Sequence, residues 1–334
     1  MLYLTSLNRA LHKVFEENND VVLIGEDLLD PYGGAFKVSK GLSTAYPEQV
    51  ISTPISEATI VGAATGMAMR GLKPIVEIMF GDFLTLAADQ IINHASKYDW
   101  IYNSDVVVPL IIRTPVGGRR GYGPTHSQSL ESIFMSISGI EIIAPTLCHD
   151  PGVMLENLIN QVQRPTIFLE YKTDYPKDLC EEAIGQLSIL REDTGAYNQN
   201  LVLSLFPDEK PDLLIVTYGG NISIAAEAVE AMFFEEEIIA NVLVLSSVRP
   251  IDEDWLINKV KECGKVLTLE EGNRIGGWGA EVSSIIHEKL FFSLKYPVQR
   301  LGSLDLPIPA SGQMENQVLP STQDIFNICR TMSN

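Results

Sequence analysis

Residues 52–83 read STPISEATIVGAATGMAMRGLKPIVEIMFGDF. A strand-like run ends at Ile55-Ser56-Glu57, a glycine-spaced helix follows, and PIVEIMF at 74–80 returns as an unbroken apolar run. Continuous apolar strands separated by helices belong to parallel sheets covered on both faces, whereas a half-exposed sheet would alternate polar and apolar residues. The same rhythm runs outward in both directions, with VVLIG at 21–25, VVVPLIIRT at 106–114, IEIIAP at 140–145 and TIFLEY at 166–171. Ahead of the first strand, Leu4, Leu7, Leu11 and Val14 have helical spacing and lack the unbroken apolar run of a signal peptide.

After about residue 172 the pattern lapses into polar, turn-rich sequence, TDYPKDLCEE and then REDTGAYNQN, which reads as a linker or an elaborated edge. It restarts with LLIVTY at 213–218, NVLVLSS at 241–247, KVLTLEE at 265–271 and PVQRLG at 297–302. Helical periods fall between them at roughly 222–236, 252–262, 279–292 and 322–332. The expected fold is therefore α/β, with two doubly wound domains: 1–185, a linker or edge segment 186–211, and a smaller domain 212–334. A chain of 334 residues exceeds the usual size of one compact core, which agrees with two.

The 43 acidic and 24 basic residues leave a net charge of −19, which repels phosphate backbones and anionic membranes. Nucleic acid is not an expected partner, and no stretch of eighteen apolar residues predicts a membrane span. Cys148, Cys180, Cys263 and Cys329 lack the short spacing of metal or dithiol sites and read as reduced, mostly buried thiols of a cytoplasmic protein.

Three stretches can carry chemistry. In the first, Glu57 falls in the opening turn of its helix, where the helix dipole alone favours a carboxylate, so its position fits either a reaction or a structural role. Gly62 and Gly66 lie on one face of that helix and suit close packing against another helix. The second, RTPVGGRRGYGPTHSQSLES at 113–132, has neither the Walker lysine spacing nor G-x-G-x-x-G. Its pointed feature is His126, which is either structural or catalytic, followed by Ser127 as a candidate helix cap. The third, LEEGNRIGGWGAEV at 269–282, delivers two glutamates into a glycine-rich loop that either lines an entrance or makes a tight turn.

These stretches fall in the order and at the distances of one family. With GED at 25–27, GAFKVSKGL at 34–42, TPISE, THSQS, SVRPID at 247–252 and DLPIP at 305–309, the chain resembles the beta subunit of the first, decarboxylating component of 2-oxo-acid dehydrogenase complexes, within the transketolase-like superfamily. The resemblance runs nearly end to end. It implies a pyrimidine-binding first domain, a transketolase-C-like second domain, and thiamine diphosphate held between two chains. Glu57 then matches the glutamate that hydrogen-bonds the pyrimidine and activates the cofactor. Phe83 matches the aromatic residue stacked on that ring, with Ile55 and Met79 as apolar neighbours. His126 matches a histidine that handles protons near the reactive carbon.

The chain lacks a GDG followed about thirty residues later by an asparagine pair, the family signature for the diphosphate's metal ligands. The resemblance thus implies that Mg²⁺ is held by an alpha partner, in an α2β2 heterotetramer, with no metal ligands assigned here. It implies a lipoyl acyltransferase as acyl acceptor. EYKTDYPKD after Leu169, the long stretch 185–212 and IPAS at 308–311 depart from common family patterns, and suit an acyl carrier protein or a sugar as the alternative acceptor. A non-catalytic structural subunit is the remaining reading.

Overall fold

The apolar runs become strands because both of their faces are covered. In a computed structural model of the protein, which describes residues 1–195 and 197–333, β1 (Val21–Glu26), β4 (Ile111–Val116) and β6 (Thr166–Tyr171) are buried at every position. Positions 196 and 334, within the expected edge segment and at the end of the expected second domain, lie outside the described residues. With β2 (Val50–Thr53), β3 (Lys73–Glu77) and β5 (Glu141–Ile143), these strands form a parallel array in the order β5-β6-β4-β3-β1-β2. The expected strand 106–114 forms only from Ile111, since Pro109 has no N–H to give a ladder. Pro54 likewise follows the end of β2 at Thr53.

The second sheet begins with β7 (Ala183–Ile184), β8 (Leu187–Asp193) and β9 (Gln199–Ser204), antiparallel to one another. In the segment 186–211, therefore, the structure has two strands of the second sheet, β8 near its edge and β9 inside it. Most of β8 is exposed or half-buried, and LSILRED carries the charges that suit an edge. Parallel strands β10 (Leu213–Thr217), β11 (Ala240–Val244), β13 (Val266–Asn273) and β14 (Gln299–Ser303) complete the sheet, while β12 (Ser247–Arg249) crosses back to pair antiparallel with β5 of the first.

Neighbouring residues on a strand face opposite ways, and they divide between two cores. Val21, Leu23, Leu213 and Ile215 join one, and Ile24, Leu214 and Val216 join the other, so each core runs through both domains. The first domain carries α1 (Tyr3–Glu17), α2 (Leu42–Ala45), α3 (Glu57–Met69), α4 (Tyr98–Ile101), α5 (Glu131–Met135) and α6 (Pro151–Gln161). The second carries α7 (Ile222–Glu236), α8 (Glu253–Cys263), α9 (Trp278–Leu290), α10 (Gly312–Val318) and α11 (Thr322–Ser333). Helix α6 starts where the Asp150 carboxylate accepts N–H bonds from Gly152 and Val153, with Pro151 in the first turn. Gly152 lets α1 approach closely, since a Cβ there would stand 2.3 Å from the Ser6 carbonyl oxygen. No helix is long and apolar enough to cross a membrane among the described residues.

Candidate functional site

The carboxyl ends of the parallel strands gather the residues singled out from the sequence. Ile55 and Glu57 follow β2, Met79 and Phe83 follow β3, and His126 lies in the loop after β4. Open α/β sheets bind ligands at this edge, where successive crossovers leave in opposite directions. Here β1 has β2 on one side and β3 on the other.

Phe83 and His126 come together around a residue the sequence did not single out. The His126 ring stands edge-on to Phe80 at 4.7 Å and to Phe83 at 5.2 Å between centroids, and Tyr122 adds a further edge contact to Phe80 at 5.9 Å. Nδ1 of His126 lies 2.9 Å from Thr125 Oγ1, so Nε2 is the ring nitrogen without a hydrogen-bond partner among the described residues. Lys172, directly after β6, lies with its ammonium 5.5 Å from the Phe80 ring centre. Burial lowers that ammonium to about 8, against the charges of Asp82, Glu271 and Glu315, which act to raise it.

Ser127 does not cap a helix. The chain stays irregular until α5 starts at Glu131, and the buried Ser127 hydroxyl has no partner among the described residues. What fixes the loop instead is a set of carboxylates arriving from elsewhere. Asp82 Oδ1 accepts from Gln128 Nε2 at 2.8 Å and from its backbone N–H at 3.3 Å. From the second domain, Glu271 accepts the Gly118 N–H at 2.7 Å, and Glu315 accepts the N–H groups of Arg119 at 2.6 Å and Gly121 at 3.2 Å. Gly117, at φ +88°, turns the chain over Glu271 and Tyr171 in a conformation that favours glycine. The third stretch thus grips the second, and part of its role is to hold the His126 loop. Glu315 carries no signal in the sequence, because it acts on backbone amides some 190 residues away and belongs to no motif.

Behind the site, the Arg113 side chain is fully buried across β3, β4 and β6. It donates to Glu170 from Nε at 2.8 Å and Nη2 at 2.6 Å, and from Nη1 to Glu77. Burial alone would lower the guanidinium's pKa, and the charges of Glu170 and Glu77 overcome that and raise it. At the seam between domains, the Tyr218 hydroxyl donates to Glu131, and burial pushes Glu270 up to about 7 despite a bond from the Gly279 N–H.

Glu57 is the first residue of α3, and its side chain is only 6% exposed. Its carboxylate takes no hydrogen bond among the described residues, and its charge adds to burial in raising the neighbouring Glu26 carboxyl. No hydrogen bond or ring contact among the described residues joins Glu57 or Ile55 to the His126 cluster. Ile55 is 81% exposed beside it, and Leu86 is 59% exposed. Helix α3, EATIVGAATGMAM, is largely apolar, yet Ala58, Ala63 and Gly66 face outward together with Thr59. An apolar helix face is normally covered. The Glu57 carboxylate, on a residue with little exposed surface and next to the exposed Ile55, can offer its oxygens to an apolar ring bearing a hydrogen-bonding nitrogen, and the exposed apolar side chains suit a covering protein surface. Gly62 already packs inside the chain, 3.0 Å from Gln90 Oε1 at its would-be Cβ, while Gly66 has nothing within 4 Å.

Two α/β domains joined near their strand ends, with the site on the loops of the first, define a transketolase-type subunit. Residues 1–177 match the family described as transketolase, pyrimidine binding domain, and residues 205–325 match transketolase, C-terminal domain. Among solved structures, a split-gene transketolase described as an inactive beta4 tetramer shares the fold at a TM-score of 0.72 and 20% identity, over 98% of this chain and 97% of that one. The mitochondrial pyruvate dehydrogenase E1 component subunit beta of Dictyostelium discoideum is 31% identical over 98% of this chain and 90% of its own. The 2-oxoisovalerate dehydrogenase subunit beta of Bacillus subtilis (strain 168) is 32% identical over 100% and 98%. The chain belongs to this family of 2-oxo-acid dehydrogenase E1 beta subunits.

Proposed function

We propose that the protein is the beta chain of a thiamine-diphosphate-dependent 2-oxo-acid dehydrogenase, forming the pyrimidine side of an active site that an alpha chain completes. The observation that carries this reading is Glu57: a mostly buried residue at a helix start, whose carboxylate has no hydrogen-bond partner among the described residues, beside an apolar surface open to solvent. Thiamine diphosphate, when bound, supplies the electron sink that decarboxylation of a 2-oxo acid requires. Glu57 would hydrogen-bond the pyrimidine nitrogen and hold the proton exchanged there. Phe83 offers its ring to the pyrimidine, and Met79 and Ile55 extend the apolar wall. His126, with Nε2 uncommitted, moves a proton during acyl transfer.

We assign the diphosphate and its Mg²⁺ to the alpha chain, because the metal-binding signature is missing from this sequence. The exposed apolar face of α3 supports an alpha contact and an α2β2 assembly. A lipoyl acyltransferase is the proposed acceptor. A cytoplasmic location belongs to the same reading, supported by four cysteines present as free thiols. Reconstitution with the alpha chain and a decarboxylation assay tests the assignment. Glu57→Gln is expected to lower kcat by about 10²–10⁴-fold; an unchanged rate would remove Glu57 from the mechanism.

A further inference from the structure

Cys148 and Cys180, 32 positions apart, meet in the fold. The Cys180 N–H donates to the Leu147 carbonyl at 2.8 Å, which sets the chain following β6 against the turn following β5. Arg191 on β8 pins both segments from the second sheet: its Nη2 donates to the Cys148 carbonyl at 2.8 Å and the Cys180 carbonyl at 3.2 Å. These contacts set the two cysteine residues side by side, where each acts on the other's proton. Their surroundings differ. Cys148 is 1% exposed in the core, whereas Cys180 borders a surface cleft of about 480 Å³ with Arg191, His149 and Tyr197.

That asymmetry is the layout of an attacking thiol and a resolving thiol. Cys148, by sharing its proton, lowers Cys180 to about 7 against burial and the Asp174 charge, and the Lys177 and Arg191 charges help it. Cys148 is raised, first by sharing its proton with Cys180 and then by burial. The pair plays no part in the site built around Glu57 and His126.

We propose that Cys148 and Cys180 form a redox-active dithiol that a small peroxide oxidises to an intrachain disulfide, stapling the strap 172–180 to the turn between β5 and α6. The Cys180 thiolate attacks one oxygen of hydrogen peroxide, the O–O bond breaks, and the hydroxide that leaves takes up the proton the thiol released, giving a sulfenic acid and water. The Cys148 thiol then attacks that sulfur, the S–O bond breaks, and a second water leaves. Two thiols lose two electrons in total and the peroxide is reduced by two, so no further reductant or oxidant enters. The strap begins at Lys172, beside Phe80, so the staple would fix one wall of the candidate site from behind.

The test is treatment of the full chain with equimolar hydrogen peroxide, followed by a thiol count in denaturant and peptide mapping. The four free thiols should fall to two, with one cross-link joining the peptides of Cys148 and Cys180 and a mass lower by about 2 Da. In Cys148→Ser, Cys180 should instead be trapped as a sulfenic acid by a cyclic 1,3-diketone, and the wild type should show no such adduct. Retention of all four thiols, a cross-link involving Cys263 or Cys329, or an equal adduct yield in wild type and Cys148→Ser would overturn the proposal. Near-ultraviolet circular dichroism of the reduced variants establishes that they fold.

Discussion

Replacing Glu315 with alanine removes the carboxylate that accepts the Arg119 N–H at 2.6 Å and the Gly121 N–H at 3.2 Å. Each hydrogen bond to a charged group contributes about 1.5–3 kcal/mol when buried, and water can reach these half-exposed amides in the variant. The shorter bond dominates, so the expected net loss is about 2–3 kcal/mol. That loss should be local, because Asp82 and Glu271 still hold the loop at Gln128 and Gly118. At about 1.4 kcal/mol per decade, amides from 117 to 123 should exchange with deuterium about 30-fold to 150-fold faster, while those of β4 and β6 keep their protection. Glu315→Gln retains one acceptor oxygen and should lie between. Reconstituted with the alpha chain, Glu315→Ala should lower kcat more than it changes KM, since His126 is displaced and the substrate contacts are not. Unchanged exchange over 117–123 would refute the idea that the second domain positions this loop. So would a loss of protection spread evenly through both sheets.

Removing Arg113 breaks two buried ion pairs at once: Arg113→Ala leaves Glu77 and Glu170 buried without a cation, and urea unfolding should show a loss of about 3–5 kcal/mol. Arg113→Met with Glu170→Gln should recover part of it. His149 makes stability depend on pH. Its Nδ1 accepts the Thr146 N–H at 3.0 Å and its Nε2–H donates to the Gln199 carbonyl at 2.8 Å, a neutral arrangement that burial holds down to about 4. Its contribution is therefore complete above about pH 6.5 and is lost as pH falls toward 4, because the unfolded chain takes up a proton first. The loss sums to about 3 kcal/mol, so the unfolding free energies of wild type and His149→Gln should converge by about that amount between pH 7 and pH 4. Parallel curves would contradict it.

Much of the fold was readable because parallel strands are buried on both faces: TIFLEY predicts a strand at 166–171, and β6 spans Thr166–Tyr171. Strand β8 was less readable, since a place near the edge of the sheet tolerates the charges of LSILRED, which then resembles a linker. Within the candidate site, the stretches that bear chemistry stood out, but the contacts between them did not. Phe80 looked like one more apolar residue at a strand end, and it is the ring that His126 packs against. Glu315 grips amide N–H groups, which leave no side-chain pattern to read, and Cys148 meets Cys180 only because the chain after β6 folds back on the turn after β5. Spacing along a sequence reports such meetings only when a short loop makes them.

Calorimetric titration of thiamine diphosphate with Mg²⁺ into the isolated chain, and then into the chain assembled with its alpha partner, addresses the shared site most directly. No saturable binding to the isolated chain, tight binding to the assembly, and weakened binding when Glu57→Gln is built in are the expected results. Full-affinity binding to the isolated chain, or binding to the assembly indifferent to Glu57→Gln, would contradict a site divided between two chains with Glu57 on this one.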